Sequence, residues 1–242
     1  MTPTELFQQG ELQQAIQALG DEVRKNPLDA KRRTFLFELL CFAGEFDRAE
    51  KHLSILGDSG QPAAMGTLVY RSAIHAEKIR QKMFAEGAFP MAHAVHERSY
   101  ARSGEPGESL ADADPRIGGA LEVFVAGGYS WIAFEQIASI EIPQPKRLRD
   151  LLWTPAIVTT TEAYKAMELG EVLLPVLSPL SWQQSDNEVR LGRSTIWIED
   201  TTYGEIPLGQ KLFLVDGEEI PILELGKVEF ADGAGEHRAA SA

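Results

Sequence analysis

Residues 5–19, ELFQQGELQQAIQAL, and residues 39–53, LLCFAGEFDRAEKHL, are one pattern written twice. Leu6, Phe7, Gly10, Leu12, Ala15 and Leu19 recur thirty-four positions on as Leu40, Cys41, Gly44, Phe46, Ala49 and Leu53. That offset is the period of the tetratricopeptide repeat, a helix-turn-helix unit. Gly10 and Gly44 read as the turns, Ala15 and Ala49 as small residues where paired helices cross, and Leu19 and Leu53 continue the apolar face one turn on. Pro27 closes the first unit. Such units do not bury their apolar faces alone, and stability takes about three of them or a cap. The run Ala63 to Ala85, with Leu68, Ser72, His75 and Ile79 at helical spacing, reads as a long capping helix. A weaker helical run holds His93 and His96 and fades at Ser103.

At 242 residues and 44% hydrophobic, the chain is long enough for one large or two modest domains with real cores. The polar start is unlike a signal peptide, and no apolar run approaches the eighteen or so residues needed to cross a bilayer. A cytoplasmic place is expected. The single cysteine, Cys41, shares helical spacing with Phe37 and Leu40 and reads as a packed, reduced thiol. The net charge of −13 is uneven: residues 1–104 hold 13 Lys+Arg against 13 Asp+Glu, whereas residues 105–242 hold 10 against 23. The basic runs, Lys31-Arg32-Arg33 and Lys146-Arg147-Leu148-Arg149, are short and diluted by carboxylates, so nucleic acid is not expected as a partner.

Between Ser103 and Pro115 the sequence SGEPGESLADADP reads as a linker, after which the hydrophobic period falls to two. Leu121, Val123 and Val125 alternate up to a Gly127-Gly128 turn, and Tyr129 to Phe134 returns. Phe134, Ile137 and Ala138 suggest one helical turn before a strand at Ile140 to Pro143. Leu148, Leu151 and Leu152 share a helical face in Arg147 to Trp153. Strands are expected at Ile157 to Thr161, at Glu171 to Leu177 with Pro175 marking an edge or bulge, and at Ile196 to Glu199. Asp216-Gly217 turns Leu212–Val215 back into Glu218 to Leu223. The fold class is therefore α+β: a tetratricopeptide-like helical domain at 1–104, a linker at 105–116, a mainly antiparallel sheet domain with short helices at 117–230, and a disordered tail from Ala231 to Ala242.

In this order the segments ADPRIGGALEVFVAGGYSWIAF (113–134), EQIASIEIPQPKRLRDLLW (135–153), GEVLLPVL (170–177), RLGRSTIW (190–197) and 209–230 resemble the ImpE family, also called TagJ or SciE-type. The most specific piece is Arg149-Asp150-Leu151-Leu152-Trp153. The resemblance implies a non-enzymatic accessory component of bacterial type VI secretion. It would bind the N-terminal segment of TssB, the small subunit of the contractile sheath, and be linked to sheath recycling by the ATPase ClpV.

Residue chemistry offers little for an enzyme. There is no Gly-x-Ser-x-Gly elbow, Walker loop or Gly-x-Gly-x-x-Gly fingerprint. His93 and His96 would share one helical face, but a zinc site takes three or four protein ligands, and no third is spaced for it. The acidic pairs Asp112/Asp114 and Glu199/Asp200 read as solvated. Trp131, Trp153 and Trp197 read as core, whereas Trp182, in the polar loop SWQQSD, is placed to rim a contact or cover an edge. No cofactor or metal is expected. The alternatives are an enzyme with a site between the helical and β domains, or a generic repeat-based co-chaperone.

Counting from Gly44, the first helix of the second unit presents Lys31, Thr34, Glu38 and Phe42 to the concave face, and the capping helix adds Leu68, Ser72 and His75. A groove of this makeup suits an amphipathic helix. The competing expectation is that the acidic second domain folds back and fills it. The partner site would then pass to Arg149, Asp150 and Trp182.

Overall fold

Gly10 and Gly44 both sit in the left-handed region, at φ +80° and +72°, where a residue without a Cβ carries no steric penalty. Each reverses the chain between two helices. Gly10 joins α1 (Pro3–Gln8) to α2 (Leu12–Lys25), and Gly44 joins α3 (Ala30–Phe42) to α4 (Phe46–Gly57). Thr2 and Glu5 form a capping box at the start of α1, and the Asp29 carboxylate accepts from the Arg32 N–H at 3.0 Å to open α3. Ala15 and Ala49 are fully buried, with Leu19 and Leu53 beside them. The long α5 (Gln61–Ala85) follows, and each helix packs on the next from α1 to α5. This computed structural model describes residues 1–57, 61–164 and 169–231.

The rest of the chain is a set of antiparallel sheets. Along the sequence run β1 (Tyr100–Arg102), β2 (Glu105–Gly107), β3 (Leu110–Asp112), β4 (Ala120–Val125), β5 (Gly128–Ala133), β6 (Ile137–Glu141), β7 (Trp153–Thr160) and β8 (Gly170–Pro175). A short helix α6 (Asn187–Arg190) precedes β9 (Thr195–Asp200), β10 (Gly204–Gly209), β11 (Leu212–Val215), β12 (Glu218–Pro221) and β13 (Lys227–Phe230). Eight strands form the main sheet in the order β2-β1-β13-β6-β7-β8-β4-β5, while β12-β11-β3 and β10-β9 form smaller ones. Both expected hairpins close in register: Leu121 faces Ile132 across β4 and β5, and Phe213 faces Ile220 across the Asp216-Gly217 turn. One helical turn at Phe134–Gln136 and another at Leu148–Leu151 are 3₁₀.

Several expectations are corrected. The run holding His93 and His96 is not helical. The His93 carbonyl instead accepts from the Gly119 N–H at 2.9 Å, and a side chain on Gly119 would collide with the Ala94 carbonyl. Residues 105–116 are no loose linker, because β2 and β3 lie in them and Asp112, Asp114 and Arg116 are buried. The acidic pair Asp112/Asp114 is therefore not solvated. Pro175 is not on an edge strand: β8 lies between β7 and β4, but β4 pairs with it only at Leu173, so the proline lies past that ladder and costs no hydrogen bond. The tail from residue 232 lies outside the described residues.

One apolar core runs through both halves. Leu36, Leu40, Phe42, Leu53 and Ile74 of the helices cluster with Phe124, Leu152, Trp153 and Leu191 of the β half, and a second core fills the main sheet around Val123, Ile140, Val158, Leu174 and Val228.

Candidate interaction surface

Trp153 begins β7 with its side chain buried among helical residues, and its indole N–H donates to Glu77 of α5 at 2.9 Å. Leu148, Leu151 and Leu152 pack into the same cluster. Asp150 fixes this segment by accepting from the Lys146 and Arg147 amides at 2.9 and 3.0 Å. The Arg149 guanidinium stacks over Tyr70 at 5.5 Å, and the Tyr70 hydroxyl donates to Glu38 at 3.1 Å. Burial pushes the Glu38 carboxyl up to about 7, against that hydrogen bond and the nearby charge of Arg149. The stretch RDLLW is thus a plug seated in the helical half.

A second segment, residues 181–193, covers the helix ends. The Trp182 ring lies against Gly44, so that a Cβ there would run into it, and Gly10 meets the Glu188 carboxylate in the same way. Arg190 donates to the Ala43 carbonyl at 3.2 Å, and Arg193 donates to the Phe7 and Gln8 carbonyls at 2.6 and 3.2 Å. Cations thereby sit at the C-terminal ends of α1 and α3, where the helix dipole is negative. The repeated glycines serve two purposes, a left-handed turn and room for this loop.

Beneath lies an ionic row. Arg80 of α5, fully buried, donates to both oxygens of Glu122 at 2.7 and 2.9 Å and to Glu77 at 3.1 Å. Lys211 bridges Glu122 at 2.7 Å and Asp112 at 2.5 Å. Burial works against the ionised form of Glu122, but Arg80 and Lys211 outweigh it and hold its carboxyl well below the usual range. A cavity of about 20 Å³ beside Glu77, Gln81, Ser178 and Ser181 has room for a single water.

The seven residues expected on the concave face are scattered by this packing. Phe42 is completely buried and Glu38 nearly so, which removes both from any partner site: the plug has taken their places. Lys31 lies in a separate cleft of about 440 Å³ with Leu19, Arg32 and Phe35, and Thr34 is half-buried, its hydroxyl donating to the Ala30 carbonyl at 2.9 Å. Arg149 and Asp150 are themselves used in seating the plug.

Leu68, Ser72 and His75 remain accessible. With Ile79 they form one outward stripe along α5, in which Leu68 is 57% and Ile79 36% exposed, next to Val69 at 44%. Two grooves adjoin the stripe, one beside its first half and one beside its second. One of about 270 Å³ runs between Leu68, Val69 and Ser72 on one side and Phe124, Leu173 and the turn residue Gly127 on the other. The other, about 560 Å³, is lined by Phe46, His75, Ile79, Ala85, Leu180 and Trp182 with the stems of Lys78 and Lys82. Helical spacing in the sequence marks this stripe but does not say which way it faces. Trp182, expected at a rim, is half-buried there and donates to Gln81 at 3.1 Å.

The ImpE protein family model matches residues 104–229, and a curated relative is 31% identical, aligned over 95% of this chain and 91% of its own length. The chain belongs to the ImpE family. That relative is the type VI secretion system accessory component TagJ of Pseudomonas aeruginosa. The fold is shared with the crystal structure of protein VPA1032 from Vibrio parahaemolyticus, with a TM-score of 0.82 at 21% identity over 95% of this chain and 97% of that one. The family match begins at residue 104, ahead of β2, and so takes in the plug and the loop over the two glycines.

Proposed function

We propose that this ImpE-family chain is a non-enzymatic adaptor of type VI secretion. It binds the N-terminal segment of the small contractile-sheath subunit, TssB, and through it is linked to sheath recycling by ClpV. Family membership and the name of the TagJ relative support the secretion role. The observation that supports a binding role is the α5 stripe: Leu68, Ser72, His75 and Ile79 at i, i+4, i+7 and i+11, lining two apolar grooves in turn. An amphipathic helix recognises such a surface by anchors at matching spacing. In this reading α1 to α4 are two tetratricopeptide-type units capped by α5, and the partner lies on the outside of the cap because the plug fills the inside.

The test is calorimetric titration of the full chain with a peptide of the sheath subunit's N-terminal segment. Leu68→Ala and Ile79→Ala should each weaken binding by about 1 kcal/mol or more if they remove anchors. A wild-type chain that does not bind the peptide, under conditions where a positive-control adaptor does, overturns the partner. Binding that survives the folded double variant unchanged overturns the surface.

A further inference from the structure

We infer that the buried junction between α5 and the sheets is a proton-binding site: below neutral pH the row Asp112–Lys211–Glu122–Arg80–Glu77 holds one added proton, at its Asp112 end. The inference is independent of which partner binds.

The charge balance points to it. The row contains three carboxylates and two cations, and each of the five side chains is at most 8% exposed. The adjoining pair Asp114–Arg116, joined at 2.5 Å, is closed and contributes no net charge. With every carboxylate ionised, one negative charge would stand uncompensated in a low-dielectric interior, and a group so placed takes up a proton.

The donors point to the same end of the row. Glu122 receives two of the Arg80 nitrogens, Lys211, and the Tyr129 hydroxyl at 2.5 Å. Glu77 receives Arg80, the Gln81 amide at 2.5 Å and the Trp153 indole at 2.9 Å. Asp112 has two donors: Lys211, which it shares with Glu122, and the Asp114 N–H at 3.0 Å. The charged groups facing it are Lys211 ahead of β11, Glu122 on β4 and Asp114 on its own loop, with Arg80 of α5 beyond Glu122. It is the least stabilised carboxylate of the three. Burial raises its carboxyl, Lys211 opposes, and the charges of Glu122 and Asp114 add to the rise, to about 7.

The proton comes from solvent and no other bond changes. Its release above neutral pH leaves the junction between α5 and the sheets one charge negative, so that junction weakens as pH rises. The sign follows from linkage: the folded value lies above the ordinary 3.8, so the stability that Asp112 contributes is complete below that ordinary value. It is lost as pH climbs through about 7.

The experiment is a carboxyl ¹³C NMR titration of the full chain, with the Asp112 carbon assigned through its own backbone amide. The expected result is an aspartate carbon titrating near neutrality. Glu38, also raised, reports on a glutamate carbon and is not confused with it. Thermal melts from pH 5.5 to 8 should show wild type losing stability relative to Asp112→Asn. An Asp112 carbon that titrates in the ordinary acid range overturns the proposal whether or not the variant folds, and so do superimposable pH profiles of the two folded proteins.

Discussion

Replacing Gly44 by alanine should harm the protein twice, and the two effects can be separated. At φ +72° a residue with a Cβ is strained by roughly 1–2 kcal/mol. That Cβ would also run into the Trp182 ring, which must move and lose part of its packing, for about another 1–2 kcal/mol. Gly44→Ala should therefore cost on the order of 2–4 kcal/mol, a fall of roughly 5–15 °C in Tm for a chain of this size. Trp182→Ala alone loses the ring and its hydrogen bond to Gln81. In the double variant the backbone strain stays but the collision is gone, so its cost should fall short of the sum of the singles by about 1–2 kcal/mol. The assay is a double-mutant cycle by chemical denaturation, provided the transitions are two-state. Additive costs would refute the idea that Gly44 is small because Trp182 rests on it.

Gly20 makes the opposite case: it lies inside α2 with nothing near its Cβ position, so Gly20→Ala should stabilise by about 0.5–1 kcal/mol in the same denaturation assay. Ala49→Leu should overpack the crossing of the second helix pair and cost about 1–3 kcal/mol, and an unchanged melting temperature would show that the crossing is loose. Arg80→Met leaves Glu122 and Glu77 buried with fewer partners and should cost about 3–5 kcal/mol, measured at pH 7.

The helical half was legible because its signals are local. A repeat at a fixed offset, two glycines at the turns and two alanines at the crossings need no knowledge of the rest of the chain, and the hairpins at Gly127-Gly128 and Asp216-Gly217 are of the same kind. What covers a helical face is not local. Phe42 and Glu38 sit at positions that a bare array would expose, and nothing in their own sequence says that Leu148 to Trp153 will pack there. Asp112 and Asp114 lie in an acidic, Gly/Pro-rich stretch that reads as solvated, because Lys211, the partner of Asp112, is nearly a hundred residues away. Leu68, Ser72, His75 and Ile79 were found by spacing, yet periodicity marks a stripe on a helix without giving its direction. The family resemblance singled out RDLLW without saying that it is a plug.

The proposed partner surface is the outer face of α5 and not the filled interior of the helical array. A photo-crosslinking amino acid placed at His75, on the stripe, and separately at Thr34 of α3, one turn before Glu38, reads this out directly with the sheath subunit's N-terminal peptide. A covalent adduct from position 75 and none from position 34 is the expected result. An adduct from position 34 with none from position 75 would contradict it.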